Sequence, residues 1–246
     1  MESIVTTQAL VSATDLSRVY GTGEAEVRAL DGVSVDFPAG RFTAIMGASG
    51  SGKSTLMHVL AGLDRPTSGT VQVDGVELGG LDDKRLTELR REKIGFVFQS
   101  FNLLPVLNAR ENIVLPLSIA GKKGDQEWID RLIETVGLGD RLSHRPSELS
   151  GGQQQRVAVA RALVARPAVV FGDEPTGNLD SRSSGEVMNL LRRSVDEFGQ
   201  TVIMVTHDAG AAAYADRIVV LADGRIVHDG DAGSADDVLD LMKAVA

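Results

Sequence analysis

Nine consecutive residues, Gly47-Ala48-Ser49-Gly50-Ser51-Gly52-Lys53-Ser54-Thr55, carry the densest chemistry in this chain. They fit G-x-x-x-x-G-K-[ST]. The apolar run Phe42 to Met46 precedes them and Leu56 to Ala61 follows in a helical pattern, which is the setting the motif requires. Glycines at 47, 50 and 52 let successive backbone N–H groups turn inward at a helix N-terminus, where unpaired donors and the helix dipole favour anions. Lys53 is expected to reach the β- and γ-phosphates of a nucleotide, and the Ser54 hydroxyl to ligate Mg2+.

Two further stretches bear on the same chemistry. Ala168 to Gly172 reads as a buried strand ending in two acids, Asp173 and Glu174. Downstream of a phosphate loop, one such carboxylate is placed to hold Mg2+ and the other to act on an attacking water. Leu149-Ser150-Gly151-Gly152-Gln153 opens another helix, and so forms a second anion-binding terminus. One γ-phosphate has no need of two cradles from one chain, so two chains are expected to share each nucleotide.

The elements that position these groups follow from periodicity. Residues 1–40 read as short strands and turns, with Val33 to Phe37 alternating at period 2. Leu81 to Lys93 predicts a helix with Lys84, Arg85, Arg90 and Arg91 on a solvated face, and Ile94 to Phe98 a strand running into Gln99. Residues 100–166 change character. Pro105 and Pro116 interrupt apolar segments, Gln126 to Val136 is amphipathic, and no strand-like run appears before Ala168, so an inserted helical subdomain is expected, with Trp128 in its core. Pro167 must stop the helix around Arg161 and Val164. Ser183-x-x-Glu186 has the capping-box pattern ahead of a helical stripe from Val187 to Phe198. Thr201 to Thr206 reads as another buried strand, ending at His207, and Asp223-Gly224 as the turn of a hairpin. Strands alternating with helices predict a mostly parallel sheet with functional groups at the strands' carboxyl ends.

Composition narrows the class. A chain of 246 residues with 43% apolar residues suits one nucleotide-binding domain with appended layers, taken here as 1–246. A net charge of -9 argues against a general electrostatic footprint for nucleic acid, so no nucleic-acid partner is expected. The absence of cysteine excludes thiol chemistry, and the four histidines show no ligand spacing. No apolar run approaches the roughly 20 residues that span a bilayer. The reading is of a soluble, cytoplasmic chain, and any membrane process it serves needs another chain to cross.

Taken together, these residues resemble an ATP-binding cassette (ABC) ATPase subunit over about residues 5–230. Gly47 to Thr55 resembles Walker A and Val169 to Asp173 Walker B, with Glu174 as the catalytic glutamate. Gln99 resembles the Q-loop glutamine, Leu149 to Gln153 the family signature, Asn178-Leu179-Asp180 the D-loop and His207 the switch histidine. Tyr20 matches the base-stacking aromatic. The resemblance implies an α/β fold: a P-loop NTPase (RecA-like) core with a mostly parallel sheet, an antiparallel β subdomain and an inserted α-helical subdomain at about 100–166. It implies a head-to-tail dimer around two ATP, each held by one chain's Lys53 and the other's Ser150, Gly151, Gly152 and Gln153. Ser54, Gln99 and Asp173 then hold Mg2+, His207 contacts the γ-phosphate and Asp180 links the two sites. Gly172 departs from the commoner alanine before Asp173.

Within that family, Tyr20-Gly21 with the later Val27-Arg28-Ala29-Leu30, Leu63 to Gly69 and Pro175 to Asp180 look most similar to the branch of lipoprotein-releasing ATPases, macrolide-exporter ATPases and the cell-division ATPase FtsE. That branch implies an FtsX-like membrane partner at the cytoplasmic face of the cell membrane, with Phe101 to Leu107 as its docking stretch. Two other classes compete: a soluble ABC-type ATPase acting on nucleic acid or ribosomes, and a P-loop kinase. The first is disfavoured by the acidic chain and the lack of a coiled-coil insertion, and the second has no use for a Ser150 cradle.

Overall fold

The computed structural model describes residues 9–245. The amino-terminal part differs from the short strands expected: β1 (Ala9–Tyr20) and β2 (Val27–Pro38) are 12 residues each and pair antiparallel. Their length is hidden in the sequence because four register shifts interrupt the pairing, one of them beside Asp15 at φ 48°, and each shift resets the alternation that marks a strand. β4 (Ser68–Val73) and β5 (Val76–Glu77), numbered in chain order, complete a small sheet β2-β1-β4-β5.

The larger sheet has the order β10-β9-β3-β8-β7-β6. It comprises β3 (Phe42–Met46), β6 (Ile94–Phe98), β7 (Val169–Asp173), β8 (Thr201–Val205), β9 (Arg217–Ala222) and β10 (Arg225–Asp231). Every pairing is parallel except β9 with β10, the expected hairpin, whose Asp223 and Gly224 lie at φ 48° and 74° as a type I′ turn requires. The inner strands are mainly apolar because both faces are covered. Ile45, Phe171, Ile203 and Val205 face α1 (Lys53–Leu60), which lies between the two sheets and also meets Leu16, Leu30 and Phe37. Phe42, Val170, Val202 and Met204 face the helices on the other side. Each such fully buried side chain contributes about 1.5–3 kcal/mol.

The segment between β6 and β7 is helical, as expected: α3 (Ala109–Ile119), α4 (Gln126–Thr135) and α5 (Gly151–Leu163), following α2 (Asp83–Lys93). Pro116 does not interrupt it, since α3 runs through that residue. Packing outweighs the roughly 3 kcal/mol a proline costs in a helix interior. One turn earlier the fully buried Asn112 side chain bonds the backbone of Leu104, Leu107 and Asn108, and Ile113 and Leu117 are buried. Trp128 is only half-buried; its ring meets Phe198 edge-on and its N–H donates to the Val164 carbonyl. Arg90 leaves the solvated face to donate to the Gly62 carbonyl at 2.6 Å, whereas Lys84, Arg85 and Arg91 are exposed. Beyond β7 come α6 (Ser181–Phe198), α7 (Ala209–Ala212) and α8 (Ala235–Ala244). The cap of α6 is Asp180, whose carboxylate accepts from the Ser183 N–H at 2.9 Å, so Ser183 and Glu186 lie inside the helix rather than forming its capping box. Among the described residues no helix is long and apolar enough to cross a membrane.

Candidate active site

The phosphate loop joins β3 to α1 and is wedged against the end of β9. Gly47 has φ 145°, and a Cβ there would collide with the Leu221 carbonyl and the Ser51 hydroxyl; Gly52, at φ 102°, lies against the Ala29 carbonyl of β2. Gly52 caps α1 with no side-chain acceptor, and the first turn holds no acid, so its N–H groups keep their affinity for an external anion. Lys53 folds back over the loop and donates to the carbonyls of Gly47 at 2.8 Å and Ala48 at 2.7 Å. Burial pulls the Lys53 ammonium below its usual range, and the nearby Glu174 charge pushes it back up. Ser54 is exposed on the first turn, and Thr55 half-buried.

The acids stand where β7 ends. Burial pushes the Asp173 carboxyl up, with His58 opposing and the Glu174 charge adding. Among the described residues no hydrogen bond reaches the Asp173 carboxylate, and no three of His, Cys, Asp and Glu group as metal ligands. Glu174 has φ 46°, and its N–H donates to the Val205 carbonyl at 3.0 Å. Its carboxylate is held on both oxygens, by the His207 Nδ1 at 2.7 Å and the Thr206 hydroxyl at 3.4 Å. A carboxylate only accepts, so the proton of that short contact sits on Nδ1. Beside this pair a cleft of about 620 Å3 runs along α6 and α7, lined by Glu174, Leu179, Ser184, His207 and Tyr214 among others and by no phosphate-loop residue.

Gln99 leaves β6 next to these acids, because the β6–β7 register pairs Phe98 with Asp173. Its side chain does not turn to Asp173. Gln99 donates to the Asn178 side chain and accepts from it through its own carbonyl, both at 3.1 Å. Asp180, capping α6, also accepts from the Ser183 hydroxyl at 3.0 Å, and these bonds, the Ser183 N–H first, hold its carboxyl below the usual range. Tyr20 ends β1 opposite Val27, two residues before the Ala29 that touches Gly52. Its hydroxyl donates to Asp64 at 2.7 Å, and Arg18 covers one ring face at 4.3 Å.

Ser150 caps α5 in a reciprocal box: its hydroxyl accepts from the Gln153 N–H, and its own N–H donates to the Gln153 side chain at 2.9 Å. The N–H groups of Gly151 and Gly152 remain directed out of the helix end. Gly151 lies near Leu179 and Phe101, and Gly152 near Ser183. This cradle therefore sits beside the segments that follow β6 and β7, strands two and three positions from β3 in the sheet, or about 10–14 Å along it from the strand that feeds the phosphate loop. The structure thus gathers Lys53, Asp173, Glu174 and His207 and sets Ser150 to Gln153 apart.

Two contributors, Thr206 and Arg161, escaped sequence reasoning, as did the contact that Asn178 of the D-loop stretch makes with Gln99. Thr206 braces Glu174, Asn178 holds Gln99, and Arg161 of α5 donates to the carbonyls of Phe101 and Asn102, two residues at φ 59° and 50°. For Arg161 the available signal was an arginine on an otherwise apolar helical stripe.

A family model described as ABC transporter matches residues 30–177. Over 225 residues the chain is 49% identical to a macrolide export ATP-binding/permease protein, MacB, of Hyphomonas neptunium, covering 91% of this chain and 35% of that protein. It is 50% identical over 214 residues to an uncharacterised ABC transporter ATP-binding protein of Thermotoga maritima, covering 86% of this chain and 91% of that one. A dimeric post-hydrolysis state of the ATP-binding cassette MJ0796 of Methanocaldococcus jannaschii, bound to ADP and Pi, matches with a TM-score of 0.81 at 41% identity, covering 91% of this chain and 99% of that chain. The chain spans about a third of the length of the macrolide-export relatives it matches. With the phosphate loop, the strand-end acids and the capped Ser150 helix in one frame, this chain belongs to the ABC transporter family.

Proposed function

We propose that the whole chain works as one ATPase domain, with residues 100–166 its helical subdomain, that it closes head to tail with a second copy around two ATP, and that closure drives an FtsX-like membrane partner. The observation that carries this reading is the separation of the two anion cradles: Lys53 opens α1 after β3, Ser150 opens α5 beside the segments after β6 and β7, and no hydrogen bond among the described residues joins them, which supports a triphosphate on one chain's loop being completed by the other chain's α5. The reported dimer of MJ0796 supports it. ATP then favours closure because it binds the closed pair at both ends and the open chain at one, and hydrolysis removes that difference.

In this reading the nine-residue loop from Gly47, with Ser49, Gly50, Ser51 and Thr55, wraps the phosphates, Lys53 neutralises them, and the exposed ring face of Tyr20 stacks on the base. Glu174 takes the proton of the attacking water, His207 contacts the γ-phosphate, and Asp180 links one site to the other. Ser54 and Asp173 fit Mg2+ because both carry oxygen donors and the Asp173 carboxylate has no competing protein donor among the described residues, whereas Gln99, its amide turned to Asn178, would join them only by leaving that bond. Bound there, the ion supplies charge neutralisation to the β- and γ-phosphates. The Asp173 carboxyl, raised by burial, holds its proton more firmly folded than unfolded, so its contribution to stability falls as pH rises through the folded value. At neutral pH it is a net cost. Asp173→Asn is expected to raise the thermal midpoint without nucleotide by about 2 °C, while ATP turnover collapses; a lowered midpoint by scanning calorimetry sinks the stability half of this prediction.

Partner docking is assigned to the stretch Phe101 to Leu107. Leu104 and Val106 there are 44% and 72% exposed and Ile119 of α3 is 65% exposed, beside a groove of about 250 Å3 lined by Phe96, Phe98, Pro116 and Arg161. The macrolide-export relatives join ATP binding and permease in one longer chain, which supports a permease as the partner of this cassette, and we assign the cassette to the membrane's cytoplasmic face through it.

The test is steady-state ATPase activity against protein concentration, with oligomeric state recorded in ATP and Mg2+, for the unaltered chain and Ser150→Ala. The unaltered chain should show a rate rising faster than linearly. Ser150→Ala loses a helix cap, about 1 kcal/mol of stability, and is expected to remain monomeric and at least tenfold slower. Constant specific activity in a strict monomer refutes shared sites.

A further inference from the structure

After Gly151 and Gly152, α5 continues with three consecutive glutamines that make three different contacts. The Gln153 side chain accepts from the Ser150 N–H at 2.9 Å, and Gln154 donates to the Leu149 carbonyl at 3.1 Å, so both serve the helix's own N-terminus. Gln155 faces inward. It is fully buried, and its Nε2 spans two carbonyls from different parts of the site: that of Phe98 at 3.1 Å and that of Pro175 at 2.5 Å. Phe98 precedes Gln99, and Pro175 follows Glu174. One NH2 group, with its two protons, ties the Gln99 loop and the Glu174 loop to α5.

The two acceptors fix the amide's orientation, since a flip would set its oxygen against both carbonyls. Core filling does not account for it. Oε1 finds no protein donor among the described residues, whereas an apolar side chain of equal volume would leave nothing unpaired on that side. Glu174, at a left-handed φ of 46°, is thus fixed upstream by the Val205 carbonyl and downstream through the Pro175 carbonyl.

We propose that Gln155 is a positioning residue for ATP hydrolysis, its amide holding the Glu174 and Gln99 loops in register with the helix that carries Ser150. The inference rests on the hydrolytic role given above to Glu174. Gln155 makes none of the phosphate-loop contacts, so it acts on turnover and leaves nucleotide affinity alone. It also sets how far α5 can move without moving Glu174.

The experiment compares ATPase kinetics of the unaltered chain with Gln155→Met, Gln155→Asn and Glu174→Gln, each first checked for native fold by circular dichroism. Gln155→Met, near-isosteric and without donors, is expected to keep KM within about twofold and to lose at least tenfold in kcat. Gln155→Asn stays polar but is one methylene too short to span both carbonyls, and is expected to lose kcat in the same way. Unchanged kcat in either folded variant, or a raised KM with kcat intact, overturns the inference; should the Met variant fail to fold, the Asn variant decides on the same criterion. Full activity in Glu174→Gln instead removes the hydrolytic role of Glu174 itself, and the role of Gln155 with it.

Discussion

Glu174→Gln lowers ATP turnover by about two to three orders of magnitude while ATP binding changes by less than a few fold. The amide has the carboxylate's shape. Its oxygen can still accept from His207 Nδ1, so the contact at 2.7 Å and the surrounding loop survive. What disappears is a group able to take a proton from water, together with the negative charge that acts on Lys53. Binding depends on the loop from Gly47 to Thr55, which the substitution does not touch. Closure still occurs and its exit step is blocked, so the variant is expected to accumulate as an ATP-bound dimer in size-exclusion chromatography, where the unaltered chain elutes mainly as monomer. A variant that turns over at the unaltered rate shows that the proton goes elsewhere.

Lys53→Ala abolishes measurable ATP binding at ordinary concentrations, an affinity loss of about 100-fold or more. The estimate follows from replacing charge-assisted hydrogen bonds to phosphate, each worth about 1.5–3 kcal/mol, by nothing. The same substitution has an opposite effect on the nucleotide-free chain. Lys53 is 9% exposed and, among the described residues, donates only to the Gly47 and Ala48 carbonyls, and burial pulls its ammonium down against the opposing charge of Glu174. The depressed value means the folded chain binds this proton less firmly than the unfolded one, so the cost is present at neutral pH and disappears only as pH rises toward the unfolded value. Thermal unfolding with and without ATP separates the two effects. The unaltered chain should gain several degrees from saturating ATP, and Lys53→Ala should start no lower and gain none. An equal ATP-induced gain in both proteins removes Lys53 from the site.

What was legible in the sequence was what lies close together along the chain. The phosphate loop, the acids after Phe171 and the helix start at Ser150 each fit within nine residues, and the apolar runs around them show both faces buried. Features decided by a partner distant in sequence were not legible. Ser183 and Glu186 fit a capping pattern as well as Asp180 does, and only the path of the chain chooses Asp180. β1 hides its length behind bulges, and Arg90 turns inward because Gly62 happens to present a carbonyl. Gln155 is indistinguishable from its two neighbours until helical phase points one of the three toward Phe98 and Pro175.

The strand order has a consequence for synthesis. β3 is paired on one side by β8 and on the other by β9, so the strand that feeds the phosphate loop is laid down early and finds both neighbours only when residues 201–222 exist. The Leu221 carbonyl against Gly47 belongs to the same late arrival. At about 5–20 residues per second, a ribosome leaves the β3 edge bare for roughly ten seconds or longer. During that interval the nascent chain has a nucleotide motif without a nucleotide site, and an apolar strand with two open edges, which is the state in which a cassette of this topology most needs a chaperone.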